Sequence, residues 1–181
     1  MRTVLLRRLV LAAAFSLFAA GSALAQAGTT VIIVRHAEKV DDSADPLLSD
    51  AGIVRAHALA DALSDAGVSA IVTTQYQRTQ HTAAPLGERI GIEPIVVTAS
   101  GGGHAAEVAA RVRQLAPGTI VVVGHSNTVP AIIRALGGPD VGEIPDPAYD
   151  HLFVLTLSEA GVQLIRTRYG AAGASQAPAG R

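Results

Sequence analysis

Past Gly28 the chain alternates short β-branched runs with longer stretches in which apolar residues recur every three or four positions. Residues 30–34 (TVIIV) are almost wholly apolar and predict a strand buried on both faces. Leu48-Ser49-Asp50 offers a helix N-cap, and Ile53, Ala56, Leu59, Ala60 and Leu63 then repeat at helical spacing, with Gly67 placed to close that helix at C′. Residues 70–73 predict a second strand, residues 79–90 a second helix ending at Gly91, and residues 94–97 a third strand. Residues 105–115 predict a helix stopped by Pro117-Gly118. Residues 119–124 (TIVVVG) carry the strongest strand pattern in the chain, and a helix follows from about residue 128 to 136. Residues 152–157 and 162–169 flank the turn-like Ser158-Glu159-Ala160-Gly161 and predict a hairpin at one end of the sheet. This order predicts an α/β fold: one domain over residues 28–169, three layers α/β/α, with a mostly parallel central sheet.

The first 25 residues stand outside that pattern. Arg2, Arg7 and Arg8 make a basic start, residues 9–20 are apolar, and Ala23-Leu24-Ala25 fits an A-x-A cleavage site, so the segment predicts a signal peptide with Gln26 opening the mature chain. The apolar run falls short of the about 20 residues a spanning helix needs. Export follows as an expectation, to a periplasmic or extracellular location, with no stable membrane association once the leader is cleaved. Arg7-Arg8 also fits a twin-arginine route. At the other end, residues 170–181 are rich in Ala, Gly, Ser and Pro and predict a disordered tail.

Composition narrows the partners. Without the leader, 156 of 181 residues remain, and 11 of the 14 basic residues face all 15 acidic ones, a net charge of −4 with His neutral. That balance argues against nucleic acid or an anionic membrane as partner. The chain is 49% apolar and 3% aromatic, so Val, Ile, Leu and Ala must build the core. It has no cysteine, hence no disulfide and no lipid-anchored leader.

Ligands of parallel sheets bind beyond the carboxyl ends of the strands. Arg35-His36-Ala37-Glu38 follows the first predicted strand, Arg78 lies four residues past the second, and His125-Ser126-Asn127 follows the valine strand. Two imidazoles and two guanidinium groups therefore converge on one sheet edge. Neutral imidazole is a nucleophile toward phosphorus at ordinary pH. Guanidinium binds phosphate oxygens with a planar fork and stays charged. Phosphoryl transfer asks mainly for position and positive charge, so such a cluster needs no metal or other cofactor.

Four ordered motifs carry a resemblance. Arg35-His36-Ala37-Glu38 resembles the R-H-G/A-E motif of the histidine phosphatase superfamily, also called the phosphoglycerate mutase-like family. Residues 73–83 are similar to its S-S-x-x-x-R-x-x-x-T-A stretch, residues 45–52 to its D-x-P-L-S-x-x-G stretch, and Gly124-His125-Ser126 to its G-H-S/G motif. The resemblance implies a short, branch-1-type member with a phosphoglycerate mutase-like fold. It makes His36 the residue that carries phosphate and makes Arg35, Arg78 and His125 its binders, with Ser126 beside them. Larger members insert a segment bearing a catalytic Glu after the third strand; here that region shrinks to residues 98–107. Glu107 is then the first choice for the general acid, as the only carboxylate between the third strand and the valine strand, with His104 as the alternative. Good leaving groups need no strong acid.

Other residues read more plainly. Glu38 suits structural pairing with Lys39 or an arginine, and His57 a surface or core-edge position. His81 fits either the site mouth or an exposed helix face, and His151 a structural place at a strand start. Gly101-Gly102-Gly103 lacks the G-K-[ST] ending of a phosphate loop, and Asp41, Asp42 and Asp45 lack calcium-loop spacing. The expected activity is hydrolysis of a small phosphomonoester or a phosphorylated envelope component. The competing readings are a mutase, a non-catalytic phosphate-binding module, and a serine hydrolase; the last is disfavoured because G-H-S-N-T departs from G-x-S-x-G.

Overall fold

The computed structural model describes residues 28–172; the expected leader and the tail from residue 173 lie outside the described residues. The elements run β1 (Thr29–Arg35), α1 (Asp50–Leu63), β2 (Val68–Thr73), α2 (Gln77–Ile90), β3 (Ile95–Val96), α3 (His104–Leu115), β4 (Gly118–Gly124), α4 (Thr128–Ala135), β5 (His151–Ser158) and β6 (Gly161–Arg168). Among the described residues the strands form one sheet in the order β3-β2-β4-β1-β5-β6. The first four in that order are parallel, and β5 and β6 continue the sheet antiparallel as the expected hairpin. No helix of the described residues is long and apolar enough to cross a membrane.

Alternation along the strands explains the three layers, because successive side chains leave opposite faces. Val31, Ile33, Ile120 and Val122 pack on one side against Val108 and Val112 of α3 and Ile132 and Ile133 of α4. Ile32, Val34, Val121 and Val123 pack on the other against Leu59 and Leu63 of α1 and Leu86 of α2. Both faces are covered, so the β-branched runs read as continuously apolar.

Two local expectations are corrected. Helix α1 ends at Leu63 with Ser64 as its C-cap, so Gly67 is not its C′ residue; it takes φ 64° in the turn that enters β2. The buried stripe of α1 is Gly52, Arg55, Ala56, Leu59, Ala60 and Leu63, whereas Ile53 is 48% exposed. The stripe is rotated because Gly52 lies against the backbone of Glu38, where an added Cβ would meet the carbonyl oxygen at 2.2 Å. Ser49 caps the helix as expected, its Oγ accepting from the Gly52 N–H at 3.2 Å.

Register is what positions the site. β1 and β4 pair in parallel from Thr29↔Gly118 to Arg35↔Gly124 without a bulge. Both strands therefore release their next residue, His36 and His125, at the same level, and the His36 N–H donates to the Gly124 carbonyl at 2.9 Å.

Candidate active site

His36 is 4% exposed, and its Nδ1–H donates to the Ala37 carbonyl at 2.8 Å. A carbonyl can only accept, so the neutral ring carries its lone pair on Nε2. Helix α2 braces this loop: the Ala37 N–H donates to Thr82 Oγ1 at 2.9 Å, and that hydroxyl donates to the Arg78 carbonyl at 2.7 Å. Burial, joined by the charges of Arg35, Arg78 and Lys39 and opposed by the Ala37 bond, lowers the His36 pKa to about 4. The residue is thus neutral, with a free Nε2, throughout the physiological range.

His125 faces it, the ring centroids 5.3 Å apart and the planes at 63°. Its Nε2 lies 3.2 Å from Thr74 Oγ1, and its backbone N–H donates to Thr128 Oγ1 at 2.9 Å. Burial first, then repulsion from His36, Arg78, His104 and Arg35, lowers its pKa to about 3. The same arrangement that puts cations around both rings keeps the rings uncharged.

Each arginine lies over a tyrosine. The Arg35 Cζ is 4.0 Å from the centre of the Tyr149 ring, which itself lies 6.1 Å from the His36 ring. The Arg78 Cζ is 4.2 Å from the centre of the Tyr76 ring, which meets His125 edge-on at 5.5 Å. Arg35 is 2% exposed; its Nη1 donates to the Pro145 and Asp146 carbonyls at 3.2 and 2.6 Å, and its Nη2 to Asp146 Oδ1 at 2.9 Å. Among the described residues its Nε–H is buried without a partner. Arg78 Nη1 donates to the Ala44 carbonyl at 3.3 Å and lies 3.6 Å from Asp45 Oδ1. Asp45, from the acidic turn, is held by the Gln77 N–H at 2.9 Å.

Sequence reasoning missed Tyr76, Tyr149, Thr74 and Asp146. Tyr76 and Thr74 stood inside a recognised motif, so proximity to Arg78 was the available signal. Residues 145–149 carried no periodic pattern, and only the fold brings them to Arg35.

The remaining candidates lie further out. Glu107 is exposed in the first turn of α3, and among the described residues no hydrogen bond or ion pair ties it or the Ser126 side chain to the four phosphate-binding candidates. Ser126 lines a cavity of about 470 Å³ with Asn127, Pro130, Arg134 and Ile144. His104 is buried, its Nδ1 3.3 Å from the Thr98 carbonyl and its Nε2 without a partner among the described residues. Glu38 pairs with Arg55, whose Nε and Nη2 donate to both carboxylate oxygens at 2.7 to 3.0 Å. Burial opposes its charge, but those bonds hold the Glu38 carboxyl below the usual range. His57 and His81 are exposed, and His151 opens β5, buried beside Phe153.

A lone pair on Nε2 of His36, a second imidazole and two guanidinium groups around one sheet edge fit a nucleophile with a charged cradle for a tetrahedral anion. Residues 31–100 match the family model of the histidine phosphatase superfamily, branch 1. No curated protein matches the chain. Among solved structures, mycobacterial glucosyl-3-phosphoglycerate phosphatase Rv2419c is similar at 19% identity and TM-score 0.59, over 80% of this chain and 100% of that one. Its complex with inorganic phosphate gives 20% identity and TM-score 0.56, over 80% and 98%. The protein histidine phosphatase SixA, complexed with tungstate, gives 16% identity and TM-score 0.60, over 77% and 97%. Identities this low speak for the fold; the family match spans Arg35, His36 and Arg78. Over residues 31–100 the chain is similar to the histidine phosphatase superfamily, branch 1.

Proposed function

We propose that the protein is an exported phosphatase that hydrolyses phosphomonoesters through a phosphohistidine on His36. The observation that carries this reading is the His36–His125 pair, two neutral rings 5.3 Å apart with the His36 Nε2 unprotonated. In the first step Nε2 attacks phosphorus, the P–O bond to the leaving group breaks, and its electron pair departs with that oxygen. In the second, water attacks phosphorus, the P–N bond breaks, inorganic phosphate leaves and the electron pair returns to Nε2. Arg35, Arg78 and His125 bind the phosphoryl oxygens in both steps, which supports independence from metal.

For a poor leaving group the reading assigns protonation to Glu107. His104, buried with its Nδ1 3.3 Å from the Thr98 carbonyl, is the alternative. The A-x-A segment supports export, and with it a substrate outside the cytoplasm, either a small phosphomonoester or a phosphorylated envelope component. A mutase reading gains nothing from this site. The test is a panel of aryl, sugar and alkyl phosphates incubated with the mature protein and a chelator. Hydrolysis should persist under chelation, and Glu107→Ala should slow alkyl substrates more than aryl ones. Activity that chelator abolishes, or none on any ester, contradicts the reading.

A further inference from the structure

We infer that Tyr76 and Tyr149 are positioning residues, which hold Arg78 and Arg35 by their flat faces so that in-plane N–H groups stay free for phosphate. The inference rests on the reading of this site as phosphate-binding and names what orients its two cations.

Chemistry favours a ring over a carboxylate for this task. A carboxylate fixes guanidinium by consuming its edge donors, the same groups that recognise phosphate. An aromatic face attracts the cation through its quadrupole and consumes none. Arg78 shows the outcome: its hydrogen bonds among the described residues involve Nη1 alone, while Tyr76 lies 4.2 Å beneath its Cζ. Arg35 keeps its buried Nε–H unpaired although Asp146 and Pro145 engage its two amino groups.

The placement is also economical in sequence. The chain has three tyrosines, and these two form the outer members of a row Tyr76–His125–His36–Tyr149 with neighbouring ring centres 5.3 to 6.1 Å apart. Both are half-buried, whereas the third, Tyr169, is in the core. Each outer ring lies beside one imidazole and carries one arginine, so it fixes the distance between that cation and that imidazole.

The experiment measures affinity for inorganic phosphate and for orthovanadate by calorimetry, with the melting temperature recorded, on wild type, Tyr76→Leu, Tyr76→Phe, Tyr149→Leu and Tyr149→Phe. Leucine keeps bulk and removes the π face, so each Leu variant should bind about five- to tenfold more weakly. Phenylalanine should recover most of that loss, and KM should rise more than kcat falls. Leu variants that bind within twofold of wild type, or Phe variants as weak as Leu, overturn the inference, as does wild type that binds neither anion. Anion binding without hydrolysis in wild type overturns the phosphatase reading alone, and the same Phe–Leu comparison still decides the role of the rings.

Discussion

Arg55 and the pair Arg35 and Arg78 all lie against the loop that carries His36, yet they are held in contrasting ways. Arg55 is 4% exposed and spends every edge on the protein, with Nε and Nη2 on Glu38 and Nη1 on the carbonyls of Tyr169 and Ala171 at 3.1 and 3.0 Å. Its Cζ lies 5.7 Å from the centre of the Tyr169 ring. Arg35 and Arg78 instead lie over rings at 4.0 and 4.2 Å, and among the described residues Arg35 leaves its Nε–H unpaired while the bonds of Arg78 involve Nη1 alone. A cation whose donors are all satisfied holds structure together; on the proposed reading, a cation held by its face keeps a donor for an anion. In this molecule, which contacts an arginine leaves open separates its roles better than burial does, since Arg35 is buried as deeply as Arg55.

The largest effects should come from removing one cation of each kind. Arg78→Met should raise KM for a phosphomonoester about 10- to 100-fold, the worth of charge-assisted hydrogen bonds, with little change in melting temperature. Arg55→Met should leave Glu38 as an unpaired carboxylate and cost about 3 kcal/mol of stability, seen as a melting temperature lowered by about 10 °C. Glu38→Gln combined with Arg55→Met should be less damaging than the two single losses added together. Equal effects of Arg55→Met and Arg78→Met on both readouts would erase the contrast.

A smaller effect concerns pH. The His36 pKa falls to about 4 and that of His125 to about 3, from an ordinary 6.5, with burial first among the causes and the surrounding cations adding to it. The unfolded chain therefore binds more protons than the native state between pH 6.5 and those values. Stability should be unaffected by these groups above pH 6.5 and should decline as pH falls from 6.5 toward 4. His36→Asn should flatten part of that decline in melting temperature. NMR should find both imidazoles neutral from pH 5.5 upward in the free protein, and bound phosphate should raise their pKa values.

The smallest effect sharpens the Arg35 side. The Asp146 side chain is 92% exposed, so its ion pair is weak, yet its carboxylate lies on an Nη that phosphate would use. Asp146→Asn should tighten phosphate binding about twofold, measured by competition against an aryl phosphate. Weaker binding would mean that Asp146 orients Arg35 rather than competes for it.

The parts written in β-branched runs were legible from sequence because burial on both faces leaves only one pattern. The strand ends, and with them Arg35, His36 and His125, followed from that, and the parallel register of β1 with β4 brought the two imidazoles level. Helix α1 was less legible. A periodic apolar reading favoured Ile53, but the buried position belongs to Arg55, a charge made tolerable by Glu38 from a distant loop. Periodicity cannot register such a pairing. Tyr149 and Asp146 were hidden for a related reason: their segment has no regular structure, and only tertiary folding brings it to Arg35. The general acid stayed open in sequence, and Glu107 in the folded chain is exposed and unattached to the phosphate cradle.

Transfer of phosphate onto His36 can be caught by chemical trapping. The protein is mixed with a ³²P-labelled aryl phosphate, quenched within milliseconds in base, digested, and its peptides mapped. Label should appear on His36, survive alkali, be lost in mild acid, and be absent from His36→Ala, which should also lose hydrolysis by roughly ten-thousand-fold. Label on Ser126 or His125, or a His36→Ala variant that still turns over, would contradict that transfer.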